Sequence, residues 1–554
     1  VRSRAEGILV SQVGYGIGAA NAVVAVFPDA EGPVTAELVG GPALAPGPVQ
    51  RVPGWTTGAF VRIPLPSELA EGSYQVRVRA VGKELISEPI TVAPSRLQRQ
   101  TLSDVLNYFK AMRSSGEIDR KDRAAKLWAD DSGRTVDARG GWLDASGDTS
   151  KFLSHLTYTS TMSPQQIPLC VWAMIAARDA IAANHPELVK AVSTRLRDEA
   201  LFGADFLVRF RSADGYFYTG IFDALTKNLD ERFINAPLQN SVRTPRYQAG
   251  YRQGGGLAIA ALARAATLDD DGDFPRTRYL KVAEQAFHHL EAHNLEYLFD
   301  GEESVLDDYT ALLAAAELVA AGIDSAAPAA ARRAAALIDR YADGHFVADA
   351  KGRPFFHAAE AGLPVLALLR YAEACPADAV RARSTAVRAM LDLLDRTHAV
   401  PNPFGYPRQL VQPTDDEAHA AFFFPHANET GYWWQGENAT IASLSAAASA
   451  CAALDELDPA DRARLKTFAA DQLHWILGRN PFDSSMLQGR GRNNPEYSAD
   501  FPNVPGGIAN GITSGWTDEN DVALLPADAP PGEVWRWAEQ WIPHTGWFLL
   551  AVAH

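Results

Sequence analysis

The chain has 554 residues, 47% of them hydrophobic and 21% charged, which is enough apolar material for a large core and too much for a disordered chain. Lys plus Arg number 51 against 67 Asp plus Glu, a net charge of −16. With no basic run of five or more, this balance argues against nucleic acid and anionic membrane as partners and leaves neutral substrates as the better fit.

From the start to about Ile90 the sequence predicts strands. Short β-branched runs at Ala22–Phe27, 35–38, 60–63 and 74–81 are separated by Gly/Pro punctuation. Residues 74–79, Tyr-Gln-Val-Arg-Val-Arg, alternate apolar and polar as a half-buried strand does. Residues 1–95 are therefore expected to form one small β-sandwich.

After Ser95 the sequence turns helical and Ala-rich. Helices are predicted near 102–118, 165–183, 186–210, 254–267, 276–293, 306–321, 327–341, 356–374, 378–396, 436–454, 459–477 and 544–553. Apolar residues at helical spacing mark one face of many of them, as Tyr279, Val282, Ala283, Ala286 and Leu290 do. About twelve helices without a short repeat suggest six hairpins in a double-layered (α/α)6 barrel over residues 96–554, with an α-solenoid as the competing architecture. Four loops far exceed ordinary connections, near 127–164, 213–250, 397–435 and 478–538, and such loops are usually functional.

Cys170, Cys375 and Cys451 lie far apart, with no metal-ligand spacing, and read as buried small hydrophobes. No apolar run approaches the roughly 18 residues of a membrane span. Residues 1–6 do not have the pattern of a signal peptide, so a soluble protein is expected, with cytoplasm and periplasm both open.

The candidate chemistry lies in the long loops. Gly140-Gly141-Trp142-Leu143-Asp144-Ala145-Ser146-Gly147-Asp148 carries two carboxylates four residues apart on a segment whose glycines permit tight turns. Both can then face one cavity and hold a water, with Trp142 beside them a candidate sugar contact, although by spacing alone a Ca²⁺ site or an Asx-turn is the commoner use. Near the C-terminus Glu539 sits among Trp535, Trp537, Trp541 and Trp547, surroundings that raise a carboxyl pKa. Trp541 and His544 are candidate sugar contacts there, since indole faces stack on pyranose rings. The segment 422–438 supplies His426, Glu429, Tyr432, Trp433 and Trp434 as further candidates, and Arg490 and Arg492 offer forked donors on a Gly-rich loop. Caps and loop clamps account equally well for any one of these residues. Gly254-Gly255-Gly256 lacks the context of a phosphate loop and reads as close helix packing, while Asn428 and Asn438 head sequons inside the aromatic segment.

At these residues the sequence resembles glycoside hydrolase family 9. Residues 8–15, Ile-Leu-Val-Ser-Gln-Val-Gly-Tyr, look like the opening strand of the immunoglobulin-like domain found before many of its catalytic domains. The 140–148 segment looks like the family's GGWxDAGD signature, residues 475–481 like its LGxNP segment, and Glu539 with Phe548 like its C-terminal acid motif. The resemblance implies an (α/α)6 barrel and inversion at the anomeric carbon, with Glu539 as general acid, Asp148 as base and Asp144 helping to hold the water. Acid and base would then stand about 6.5–9.5 Å apart.

Two departures from the cellulases are the extra Ser146 and the replacement of a His-rich stretch by residues 489–494, and the resulting DxxxD spacing with segment 422–438 looks like the branch of exo-β-glucosaminidases and related exo-acting glycosidases. That likeness implies release of single sugars, glucosamine favoured, from the non-reducing end of chito- or cello-oligosaccharides. β-Glucosidase and endo-β-1,4-glucanase are the alternatives within the family, and a carbohydrate-binding protein without catalysis is the alternative outside it. Catalysis requires no cofactor in this reading. Structural Ca²⁺ is admitted by the resemblance, with Asp269–Asp273 either a Ca²⁺ loop or simply solvated. The oligomeric state and the compartment are not specified by the sequence.

Overall fold

The computed structural model describes residues 1–554 except Ala30 and Val81, so the last residue of the strand expected at 74–81 lies outside the described residues. Eleven strands come first: β1 Gly7–Leu9, β2 Tyr15–Gly16, β3 Ala22–Phe27, β4 Val34–Leu38, β5 Ala43–Leu44, β6 Val49–Gln50, β7 Ala59–Pro64, β8 Gly72–Tyr74, β9 Val76–Ala80, β10 Lys83–Ile86 and β11 Ile90–Ala93. They form sheets ordered β1-β3-β7-β6, β10-β9-β4-β5 and β2-β11-β8. The alternating run expected as one strand is two. Tyr74 pairs with Ile90 in one sheet, while Val76–Ala80 pairs with β4 and β10 in another, so the chain changes sheets at Gln75.

β3 is apolar at every position because both of its faces are covered. Val23, Ala25 and Phe27 pack into the sandwich core with Leu38, Val76 and Val78. Val24 and Val26 point the other way, joining Leu9, Trp55 and Phe60 in the core of the helical region. A strand buried on both sides loses alternation. Each fully buried Val or Phe among them contributes about 1.5–3 kcal/mol.

The helical region follows at once. Its helices are α1 Arg96–Met112, α2 Gly116–Asp122, α3 Ile167–Asn184, α4 Val189–Arg209, α5 Gly255–Ala265, α6 Arg276–Tyr297, α7 Val305–Ala320, α8 Ala327–Asp339, α9 Leu363–Ala374, α10 Ala379–Thr397, α11 Asn438–Ala452, α12 Pro459–Ile476, α13 Trp535–Ala538 and α14 Ile542–Ala553. All twelve predicted helices are present, with α2 and α13 as short additions. The helix expected from 356 starts later, where Gly362 meets the Ser443 backbone too closely for any Cβ and Pro364 suits a first turn.

α3, α5, α7, α9, α11 and α14 each pack on the next, and α14 returns to α3, closing an inner ring. α1, α4, α6, α8, α10 and α12 form the outer layer, giving the (α/α)6 barrel. Composition sorts the two layers. Every residue of α5 and α14 is buried, whereas α10 buries one stripe that includes Ala379, Ala382, Ala386, Met390 and Leu393. In α5, Gly256 lets α7 approach so near that a Cβ would stand 2.8 Å from that of Thr310, the close packing expected of the triple glycine. α3 is long and apolar enough to cross a membrane, contrary to the expectation that no such run exists; it is an inner barrel helix with 72% of that stretch buried.

The sandwich is fixed to the barrel through segment 475–481. Asp471 on α12 takes Arg62 of β7 at 2.9 Å and Arg479 at 2.6 Å, and Arg479 also donates to the Ala22 carbonyl at 3.0 Å. Burial alone would raise the Asp471 pKa, but the two guanidinium groups outweigh it and hold the carboxyl below its ordinary range. Trp55 packs among Phe404, Phe422, Phe423 and Trp475 beside this pair.

Candidate active site

Successive barrel helices alternate between layers, so the six inner helices run in one direction and their N-terminal ends share one rim. Four long loops lead into α3, α5, α11 and α14 at that rim, and they are the four that the sequence marks as too long for mere connections. Between them lies a cavity of about 530 Å³ lined by Asp144, Asp148 and Glu539, with residues from all four loops.

The aspartate loop is built as a tight turn. Asp148 N donates to the Ala145 carbonyl at 3.1 Å across Ser146 and Gly147. Gly147 has φ +78°, and a Cβ there would stand 2.6 Å from Phe501 Cα, so the turn demands glycine twice over. Ser146, the extra residue, is buried and donates its N–H to the Gln540 carbonyl at 2.9 Å, while Ile542 N donates to the Asp144 carbonyl at 3.0 Å. Glu539, between α13 and α14, is thus followed at once by two residues, Gln540 and Ile542, that are tied to the loop carrying the aspartates.

A buried charge cluster supports this loop from below. Lys151 stands 2.7 Å and Arg232 2.9 Å from Asp122, all three closed to solvent. Lys151 Nζ also donates to the carbonyls of Ala138 (2.6 Å) and Gly140 (2.9 Å), and Arg232 to that of Thr149 (2.5 Å). The sequence reading missed this cluster, whose members are scattered over 110 positions.

Electrostatically the three carboxyls are unequal. Asp144 is buried, and its pKa is driven well above the carboxylate range by desolvation first and by the charges of Asp148 and Glu539 next; Gln166 donates to its Oδ1. Asp148 is raised by burial too, but the N–H of Ser150, 2.8 Å from Oδ1, and its hydroxyl oppose this by favouring the charged form. Glu539 is pushed up to about 8 by burial and then by the Asp148 charge. Near neutral pH Glu539 is protonated, and Asp148 is the more easily ionised aspartate.

Of the predicted sugar contacts, Tyr432, Trp433 and Trp541 line the cavity, with the indoles of Trp433 and Trp541 edge to face at 5.6 Å. The others are placed elsewhere. Trp142 is buried in the barrel and donates to Glu199 at 2.8 Å. His426 stacks on Trp434 at 3.7 Å, and Trp434 in turn lies under Arg536 at 4.2 Å, so both stand behind the wall. Glu429 accepts from Ser160 at 2.9 Å and from Thr161, holding a neighbouring loop. Arg490 pairs with Asp104. Arg492 pairs with Asp483 at 2.8 Å beside the sandwich. His544 is fully buried and accepts from Ala439 N at 2.7 Å, capping α11. Planar forks and rings mark a residue as able to bind sugar, but carboxylates, hydrogen-bonding groups and neighbouring rings inside the protein have taken these.

Other lining residues escaped the sequence reading, among them His155, Tyr158, Asn240, Tyr497 and Phe501. The signal available was only that each lies in one of the long loops. For a metal, the Asp269–Asp273 segment does not fit: Arg178, Arg197, Arg276 and Arg209 respectively engage Asp269, Asp270, Asp271 and Asp273. Among the described residues no group of three or more His, Cys, Asp or Glu side chains is arranged to hold an ion.

An (α/α)6 barrel with three carboxyl groups and aromatic walls at one rim has the make-up of a glycoside hydrolase. The model of glycosyl hydrolase family 9 matches residues 99–500, and the chain belongs to that family. Solved structures agree on the fold. A GH9 protein of Bacteroides ovatus superposes with a TM-score of 0.64 at 16% identity, covering 99% of this chain and 98% of that one. The GH family 9 endoglucanase J30 gives 0.63 at 18% identity, with 98% of each chain covered. Endoglucanase CelQ from Clostridium thermocellum, complexed with cellobiose and cellotriose, gives 0.51 at 17% identity over 82% of this chain and 70% of that one. No curated protein matches by sequence.

Proposed function

We propose that the protein is an inverting, exo-acting β-1,4-glycosidase that releases one sugar, glucosamine favoured, from the non-reducing end of short chito- or cello-oligosaccharides. The observation that carries this reading is the convergence of a protonated Glu539 with Asp144 and Asp148 in one aromatic-walled cavity. Glu539 gives its proton to the glycosidic oxygen as the C1–O bond breaks. Water attacks C1 from the opposite face and loses a proton to Asp148, with Asp144 holding that water. The product carries the inverted configuration, and solvent restores both carboxyls. Positive charge developing at C1 is stabilised by the carboxylates.

A cavity of about 530 Å³ suits a few sugar units better than a long polymer. A protonated amine suits its charge, because Arg536, the cation on its wall, is neutralised by Glu533 at 2.8 Å. The second reading, an endo-β-1,4-glucanase, draws on the two structural neighbours described as endoglucanases. Incubation with chitosan disaccharide, cellobiose, cellopentaose and carboxymethylcellulose separates the two. Single glucosamine units with unchanged viscosity are expected. Glucose from cellobiose alone would mean a β-glucosidase, and mixed cellodextrins with a rapid viscosity fall an endoglucanase.

A further inference from the structure

His155 lines the cavity but has no part in the proton transfers above. Its ring stands edge-on to two indoles, with centroids 5.6 Å from Trp433 and 5.8 Å from Trp541. Nδ1 lies 2.8 Å from Gln166 Oε1, and the NH₂ of the same amide donates to Asp144. An amide oxygen can only accept, so the proton of the neutral ring sits on Nδ1 and Nε2 keeps a lone pair. Among the described residues Nε2 has no hydrogen-bond partner, and it is not among the sealed polar atoms. It therefore opens to the cavity. Burial lowers the imidazole pKa to about 4, which keeps the ring an acceptor at neutral pH.

We propose that His155 is a specificity-determining residue whose Nε2 accepts a hydrogen bond from a hydroxyl or ammonium group of the sugar held beside Trp433 and Trp541. The inference rests on reading the cavity as a sugar site. Asp144 orients Gln166, Gln166 fixes the histidine tautomer, and the tautomer selects a donor on the ligand. A sugar that covers Nε2 without offering a donor at that position leaves it unpaired.

The test measures binding apart from cleavage, by titration calorimetry in a Glu539→Gln background. Ligands are chitosan disaccharide, cellobiose, and analogues of each whose terminal ring lacks one hydroxyl or the amine. One analogue is expected to bind about 10- to 100-fold more weakly than its parent. His155→Phe, which keeps a ring between the indoles, is expected to weaken the parent by a similar factor and that analogue no further. If the sensitive position is the amine the donor is ammonium; if it is a ring hydroxyl the donor is hydroxyl. Losses that simply add at every position would overturn the proposal, as would a purely structural effect that weakens all ligands alike. Nitrogen-15 spectra of histidine-labelled Glu539→Gln protein give a second readout without touching His155. Nε2 is expected to be unprotonated at pH 7 and to shift when sugar binds, and a proton on Nε2 would overturn the assignment. Sugar binding with no cleavage by the unaltered enzyme would defeat the hydrolase reading and leave this one standing. Cleavage with unchanged selectivity in His155→Phe would do the reverse, and no binding at all would end both.

Discussion

Glu539 is where single-residue chemistry is most exposed to test. Its pKa of about 8 lies above that of a free carboxyl, so the acid form dominates at neutral pH and activity is expected to decline as pH rises through about 8. A profile of kcat/KM against pH checks this, and an alkaline limb that persists in Glu539→Gln would assign it to another group. The same variant is expected to lose about 10²- to 10⁴-fold on natural glycosides and much less on aryl glycosides, whose leaving groups need no proton. Equal losses on both would remove Glu539 from the role of acid. Linkage adds a stability effect. Because the folded pKa is raised, this carboxyl's contribution is full below the ordinary carboxyl range and is lost as pH rises through about 8. Glu539→Gln is therefore expected to melt above the native protein at pH 9, as calorimetry would show. Asp148→Asn is expected to abolish turnover while leaving the melting temperature near native, since Ser150 can still hold an amide; full turnover would dismiss Asp148 as base.

At the scale of elements, the decisive feature is how the aspartate loop is held in shape. Asp122 balances two buried cations, and Asp122→Asn would leave Lys151 and Arg232 without their carboxylate. Breaking such a pair from one side costs about 3–5 kcal/mol, to be read from denaturant unfolding. Activity is expected to fall too, because both cations also bind carbonyls on the loop. An unchanged unfolding midpoint would show that the cluster is not structural. Much of this element level was legible beforehand. The Gly-rich GGWLDASGD segment announced a tight turn between two acids, and the long loops announced the cavity. Its support was not legible, because Asp122, Lys151 and Arg232 meet only once α2 and the short strands Lys151–Phe152 and Phe233–Ile234, members of one five-stranded sheet, have come together.

At the scale of the molecule, the sandwich and barrel share a core rather than a linker. β3 contributes to both, and Trp55 inserts among barrel aromatics. Trp55→Ala is expected to cost about 3–5 kcal/mol and to lower the thermal midpoint of the whole chain in one transition. A separate transition for the sandwich alone would contradict a shared core. The cavity lies at the rim of the inner helices, whereas this interface lies beside α12, so Trp55→Ala is expected to leave KM near its native value.

While the three carboxyls were singled out by the resemblance of their short segments to a family, what the sequence determined by itself was everything carried by local periodicity: the change from strands to helices near residue 95, the twelve barrel helices and the four long loops. These follow from spacing along one segment, which neighbouring residues alone dictate. Tertiary structure decided which rings face the cavity and which stand behind it. Trp142 and Trp541 are both tryptophans in signature segments, yet one is sealed against Glu199 and the other forms a wall. It likewise gave Arg490 and Arg492 to Asp104 and Asp483, and left His155, unremarkable in the sequence, with an open lone pair in the site. A side chain's direction depends on partners that lie anywhere from nine to several hundred positions away, and only the folded loops and closed barrel decide which of them it meets.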